Sequence, residues 1–175
     1  SMLDAGEILP NTLVADIPTQ IAGYSPKNFD LTYDGAVPAH RALSRSLNIP
    51  SVLMLKDHGV YRFYDELQQF KLRDINKHPN HYGLSLILGG AESNLWDLTK
   101  TYAGLTSTLN YFTTHSAKYR MDEFKELNWL HGAKMDFGKE SYDKRNLGAS
   151  SIWLTYNAMK EVNRPEGDEA WKFYD

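Results

Sequence analysis

The chain has no cysteine. Disulfides and thiolate metal sites are therefore excluded, and the redox compartment is left open. No apolar run approaches the ~20 residues that a membrane-spanning helix needs, and nothing at the start reads as a secretory leader. Charge of one sign is not in excess. The formal net charge of −3 gives no reason to expect nucleic acid or an anionic membrane as partner. Internal repeats and low-complexity tracts are absent. Gly89-Gly90 is followed by no Lys-Ser/Thr, so it is not a phosphate cradle. Asp136-Phe137-Gly138 matches a kinase tripeptide but has no Gly-rich loop or catalytic loop beside it, and reads as a turn. His78 and His81 have a metal-like spacing, yet they flank Pro79 with no carboxylate or thiolate close by. They read as a solvated loop, and no metal or cofactor is expected.

What is present fits one domain with a real core, in 175 residues. Aromatics make up 13% of the chain. They give large burial area with polar tips, which suits a core, a groove or an interface equally.

The stretch from Gly35 to Pro50 organises the rest. Pro38 suits the first turn of a helix, since its missing N–H would have had no partner there. Ala39, Ala42 and Leu43 favour helix. Pro50 disfavours helical geometry at Ile49, so the run should stop before it. Pro50 then opens a second helix to His58, ended by Gly59. Ser46 and Asn48 are thus expected at a bend between two anchored helices, where small polar side chains can face a cleft.

Elsewhere the pattern is mainly helical. Met2 to Ile8 reads as a helix tail interrupted by Gly6. Leu9 to Gly35 is a long connection with a short extended piece at Leu13 to Ile17 that nothing sustains as a strand. Val60, Phe63, Tyr64, Leu67 and Phe70 make the clearest amphipathic helix. Lys71 to Tyr82 reads as a polar loop, and the alternating leucines of Gly83 to Gly90 as a short buried strand or extended loop. Asn94 caps a helix with a buried stripe of Leu95, Leu98, Tyr102, Leu105 and Leu109. Residues 113–147 are the least legible, with a helix at Met121 to Leu127 and otherwise a hairpin or extended excursion. Ser150 or Ser151 caps a last helix with Ile152, Tyr156, Met159 and Val162 facing inward.

Several blocks, in order, carry a resemblance. Ile8-Leu9-Pro10 with Asp16-Ile17-Pro18 comes first. Gly23-Tyr24-Ser25-Pro26-Lys27-Asn28-Phe29-Asp30 and Tyr33-Asp34-Gly35 follow, then Ala42 through Val52. The last is Tyr82 through Glu92, continued by Leu95 to Ala103. This ordered set resembles the transpeptidase domain of class A penicillin-binding proteins, most closely the 1C type. The likeness is strong from Ile8 to about Leu109, weaker through Thr113 to Asn146, and returns near Ile152 to Trp171.

The resemblance implies a D,D-transpeptidase that cross-links peptidoglycan stem peptides by serine acyl transfer, with β-lactams as inhibitors. It implies an extracytoplasmic, membrane-anchored parent that also carries a glycosyltransferase. Three motifs build the family's site: Ser-x-x-Lys with the nucleophile, Ser-x-Asn, and Lys-Thr/Ser-Gly. Ser46-Leu47-Asn48 matches the second. By the resemblance, Ser46 would relay a proton between the active-site lysine and the leaving group, and Asn48 would hydrogen-bond an amide of the stem peptide. A hydroxyl is donor and acceptor at once, and a carboxamide can hold a peptide group with either end.

The first and third motifs have no counterpart. No Ser-x-x-Lys precedes Ser46, and no Lys-Thr-Gly or Lys-Ser-Gly occurs. Ser141-Tyr142-Asp143-Lys144 matches the letters only, downstream and without an apolar helix to depress a lysine pKa. The expectation is a mainly α chain with little sheet: the helical lobe excised from the α/β penicillin-recognising, β-lactamase-like transpeptidase fold. Residues 1–175 would be one partial domain, inactive alone. Two alternatives stand beside it: a stand-alone helical module binding a peptide or protein partner, and an unrelated enzyme using the loop residues. An excised lobe would also expose apolar surface and self-associate.

Overall fold

The computed structural model describes residues 1–126, 132, 134–143 and 146–162. The fold is mainly helical, with two small two-stranded sheets. Strand β1 (Leu13–Asp16) pairs antiparallel with β2 (Gly35–Pro38), Leu13 facing Pro38 and Asp16 facing Gly35. Helices α1 (Ala39–Ser44), α2 (Asn48–His58), α3 (Val60–Gln69) and the short α4 (Pro79–Tyr82) follow. A 3-10 helix at Gly83–Leu88 leads to the long α5 (Leu95–Thr114). A hairpin of β3 (Tyr119–Arg120) and β4 (Glu140–Ser141) precedes α6 (Ala149–Lys160).

The extended piece at Leu13 is a strand after all. Its partner is the segment expected to open a helix, because Pro38 sits in extended geometry (φ −60°, ψ 142°) and α1 begins only after it. Proline's fixed φ serves a strand end as well as a helix start. Helix α2 begins at Asn48, two residues before Pro50, so Pro50 lies within its first turn rather than at its start. The expected helix tail at Met2 to Ile8 is a single turn, closed by Glu7 N–H to Met2 C=O at 3.0 Å.

The main core cluster is Leu55 of α2 with Leu72, Ile75, Tyr82 and Leu86. The apolar face of α3 packs against it through Val60, Phe63, Tyr64 and Leu67, joined by Phe70. Lys71 to Tyr82 is therefore not a polar loop: it delivers Leu72 and Ile75 to the core and forms α4. The leucine alternation of 83–90 belongs to a 3-10 helix rather than a strand, and only Leu86 is fully buried there. A three-residue repeat puts Leu86 inward while Leu88 stays exposed.

On α5, Asn94 caps as expected, its side chain accepting from Asp97 N–H at 2.8 Å. The buried stripe is different from the expected one. The inward face is Asp97, Lys100, Gly104 and Thr108, whereas Leu95, Leu98 and Tyr102 are exposed. Tertiary ion pairing decides the helix orientation here: Asp97 meets Arg73 and Lys100, and Lys100 reaches Glu126 at 2.9 Å. The helix expected at Met121 to Leu127 is a turn from Met121 to Phe124, irregular at Lys125 and Glu126, and Leu127 lies outside the described residues. The hairpin expectation for this region holds.

Helix α6 starts one residue ahead of the expected serine cap, with Gly148 at the cap position. The carboxylate of Asp4 accepts from Gly148 N–H (2.7 Å) and from the Ser151 hydroxyl (3.2 Å), doing the capping from the chain's opening turn. Ile152 is buried as expected, while Val162 is exposed. Among the described residues no helix is long and apolar enough to cross a membrane.

Candidate functional site

Ser46 lies in the three-residue turn between α1 and α2, and Asn48 opens α2, so both stand at the bend that the sequence implied. Helix α1 ends in a Schellman motif: Leu47 N–H reaches Ala42 C=O and Ser46 N–H reaches Leu43 C=O, both at 3.0 Å. Leu47 and Ala42 also pack together with Val37, the apolar contact that usually accompanies such a cap. Ser46 occupies the left-handed position of this motif, with φ 54°. Glycine is the usual occupant there, because a Cβ is strained at that φ. Ser46 is also exposed, and its hydroxyl has no hydrogen-bond partner among the described residues. Ser46 shares its positive φ with five other non-glycine residues among those described, Ala22, Leu31, Lys71, Ser116 and Ala117, so what sets it apart is the open, exposed hydroxyl beside Asn48.

Asn48 is the first residue of α2, half-buried. Its side-chain Nδ2 donates to the Lys27 carbonyl at 2.8 Å, leaving its carbonyl oxygen and a second N–H for a ligand. A shallow groove lined by Pro18, Ser25, Pro26, Lys27 and Tyr33 begins beside that contact. An apolar cavity of about 200 Å³, lined among others by Met2, Leu43, Met54 and Leu154, does not include Ser46 or Asn48 in its walls.

The turn is held by residues to which the sequence reading gave no role. The Asn28 side-chain oxygen accepts from the N–H of Asn48 (3.1 Å) and of Ile49 (3.2 Å). These are the first two orphan donors of α2; Pro50, the third residue, has none to satisfy. Asn28 Nδ2 donates to Asp16 Oδ1 at 2.7 Å and to the Thr32 carbonyl at 3.0 Å. Asp16 in turn accepts from Asp34 N–H at 3.0 Å, and Asp34 pairs with Arg45, the neighbour of Ser46. That hydrogen-bonded pairing raises the Arg45 pKa. Asn28 and Asp16 are both buried. Asn28 and Asp16, the last residue of β1, both lay in blocks that carried the resemblance, which was the available signal; neither residue had a local pattern that pointed to this role.

The other sequence candidates do not join this site. Ser141 lies on β4, where its hydroxyl accepts from Asp143 N–H at 3.3 Å; Lys144 lies outside the described residues. His78 caps α4 through Nδ1 and packs edge-on against Tyr61. No group of three potential metal ligands gathers among the described residues. Gly138 N–H donates to the Asp136 side chain at 2.9 Å and the Phe137 carbonyl accepts from Asp122 N–H at 3.0 Å, so Asp136-Phe137-Gly138 runs alongside the segment after β3 and is not the regular backbone turn expected.

No protein-family model matches the chain. Over 100 residues it is 39% identical to penicillin-binding protein 1C of Escherichia coli, a match covering 57% of this chain and 13% of that protein. The chain is thereby related to a penicillin-binding protein, and it spans a small part of that relative's length.

Proposed function

We propose that this chain is the helical lobe of a serine D,D-transpeptidase that cross-links peptidoglycan stem peptides, and that Ser46 and Asn48 are its contribution to the cleft. The observation that carries the reading is the placement of Ser46. Its hydroxyl is open and exposed on a left-handed residue, two positions before Asn48 and its carboxamide. The kinship with a penicillin-binding protein supports it.

In this reading the attacking serine and its lysine lie on polypeptide other than these 175 residues, as does the strand that docks substrate. The Ser46 hydroxyl accepts a proton from one side and donates on the other, relaying it toward the leaving group. Asn48, tied to Lys27 by one N–H, holds a stem-peptide amide with its remaining carbonyl and N–H. Acyl transfer cannot proceed without the attacking atom, so the chain alone is inactive.

The test is incubation of the purified chain with a fluorescent penicillin, alongside titration with a synthetic stem peptide monitored by NMR. No covalent label is expected, and peptide-induced shifts should centre on Ser46, Asn48 and Lys27. Stoichiometric acylation of Ser46 or Ser141 would overturn the assignment of the nucleophile. Absence of any shift at the turn would overturn the site.

A further inference from the structure

Both flanks of the Ser46–Asn48 turn are tied to one segment, residues 27–34. On one side Arg45 pairs with Asp34. On the other, Asn48 is held through its side chain by the Lys27 carbonyl and through its backbone N–H by Asn28. Asn28 is 2% exposed, Asp16 is 1% exposed, and the bond between them is 2.7 Å. We infer that Asn28, oriented by Asp16, is the positioning residue of this site, fixing where the Ser46 hydroxyl and the Asn48 carboxamide point. This rests on the reading that the turn is functional, and it adds the residues that set its geometry.

The chemistry requires a carboxamide at position 28. One end must accept two backbone N–H groups at the start of α2; the other must donate to a carboxylate and to a carbonyl. An aspartate could accept at the helix start, but it would place a second carboxylate against Asp16 and leave the Thr32 carbonyl unmatched. An alanine would strip both helix donors of their partner in a buried place. Loss of Asn28 should therefore loosen the turn locally, beyond any change in overall stability.

The experiment uses the full chain with hydrogen exchange resolved at single amides, plus the stem-peptide titration. In Asn28→Ala the amides of Asn48 and Ile49 should exchange at least about tenfold faster relative to the α5 amides, and stem-peptide affinity should fall by about tenfold. Asn28→Asp should behave similarly. The exchanged pair Asp16→Asn with Asn28→Asp restores the donor–acceptor match between 16 and 28 and should recover most of the protection and affinity. A purely structural role would instead speed exchange at all amides together, and the exchanged pair would recover nothing at the turn beyond that.

Unchanged exchange at Asn48 and Ile49 in Asn28→Ala would overturn the inference while leaving the site reading intact. If Asn28→Ala does not fold, the exchanged pair decides, and a pair no better than Asn28→Asp alone overturns it. Failure of the site reading is distinguishable: Ser46→Ala and Asn48→Ala would then leave peptide shifts as they are in the unaltered chain.

Discussion

Arg73 holds Asp97 with three donors. Its Nε and its backbone N–H both reach Oδ2 at 3.1 Å, and its Nη2 reaches Oδ1 at 3.0 Å. The Asp97 side chain is fully buried, and Asn94 and Lys100 complete its contacts. This carboxylate fastens the segment after α3 to the first turn of α5 and, through Lys100, to Glu126. Its pKa is held far below the usual carboxylate range, chiefly by the Arg73 hydrogen bonds, against the opposing effect of burial.

Because the folded pKa lies below the unfolded one, Asp97 stabilises the fold at all pH above its unfolded value, roughly 3.9. That stabilisation is lost as pH falls from there toward the folded value. Thermal unfolding between pH 7 and pH 3 should show the unaltered chain losing stability below about pH 4. Asp97→Asn should cost about 3 kcal/mol at pH 7, since among the described residues it leaves the buried Lys100 with Glu126 as its one carboxylate partner beside the Lys71 carbonyl, and should flatten the acid limb. An Asp97→Asn variant with the original acid limb would refute the assignment.

The difference between what was legible and what was not follows the range of the forces. The apolar face of α3 and the Asn94 cap were legible because Val60, Phe63, Tyr64 and Leu67, or Asn94 and Asp97, meet within one or two helical turns. The pairing of β1 with β2 was not, because Asp16 and Gly35 are joined across a connection with little pattern of its own. The α5 stripe was misplaced because hydropathy ranks Leu95 above Lys100. Paired charges reversed that order, burying Lys100 and Asp97 and leaving Leu95 exposed. At the site, Ser46 and Asn48 could be named from local letters, whereas Asn28 acts across a loop and showed only once the chain was folded.

Ser46→Gly should stabilise the chain while disabling the site. Glycine relieves the strain of φ 54° at the end of α1, worth about 0.5–1 kcal/mol and a rise in melting temperature. The same change removes the hydroxyl, so stem-peptide shifts at Lys27 and Asn48 should weaken. Ser46→Ala keeps the strain and should not raise the melting temperature, which separates the two effects. A Gly variant no more stable than Ala would mean that the left-handed position carries no strain worth relieving.

The exposed leucines of α5 bear on self-association. Leu95 is 81% exposed and Leu98 and Tyr102 lie on the same side, one and two turns along. Covering this surface in a second copy is the expected outcome at raised concentration. Sedimentation across a concentration series should show reversible association, abolished by Leu98→Asp without loss of helical signal. A monomer at every concentration would remove the proposal.

Gly104 of α5 lies against the turn that follows β3. A Cβ built there would lie 2.6 Å from both Cδ1 and Cε1 of Phe124, and 3.3 Å from the Glu123 carbonyl oxygen. Phe124 is itself buried and packs edge-on against Phe70, with ring centroids 4.8 Å apart, so it has little room to retreat. Alanine normally favours a helix interior over glycine by about 1 kcal/mol, yet here the clash should win. Gly104→Ala is expected to destabilise by about 1–3 kcal/mol in denaturant unfolding. Combined with Phe124→Leu, the same alanine should cost less than it does alone, because the narrower side chain vacates the contact; additive effects would show that Phe124 does not set the limit at position 104.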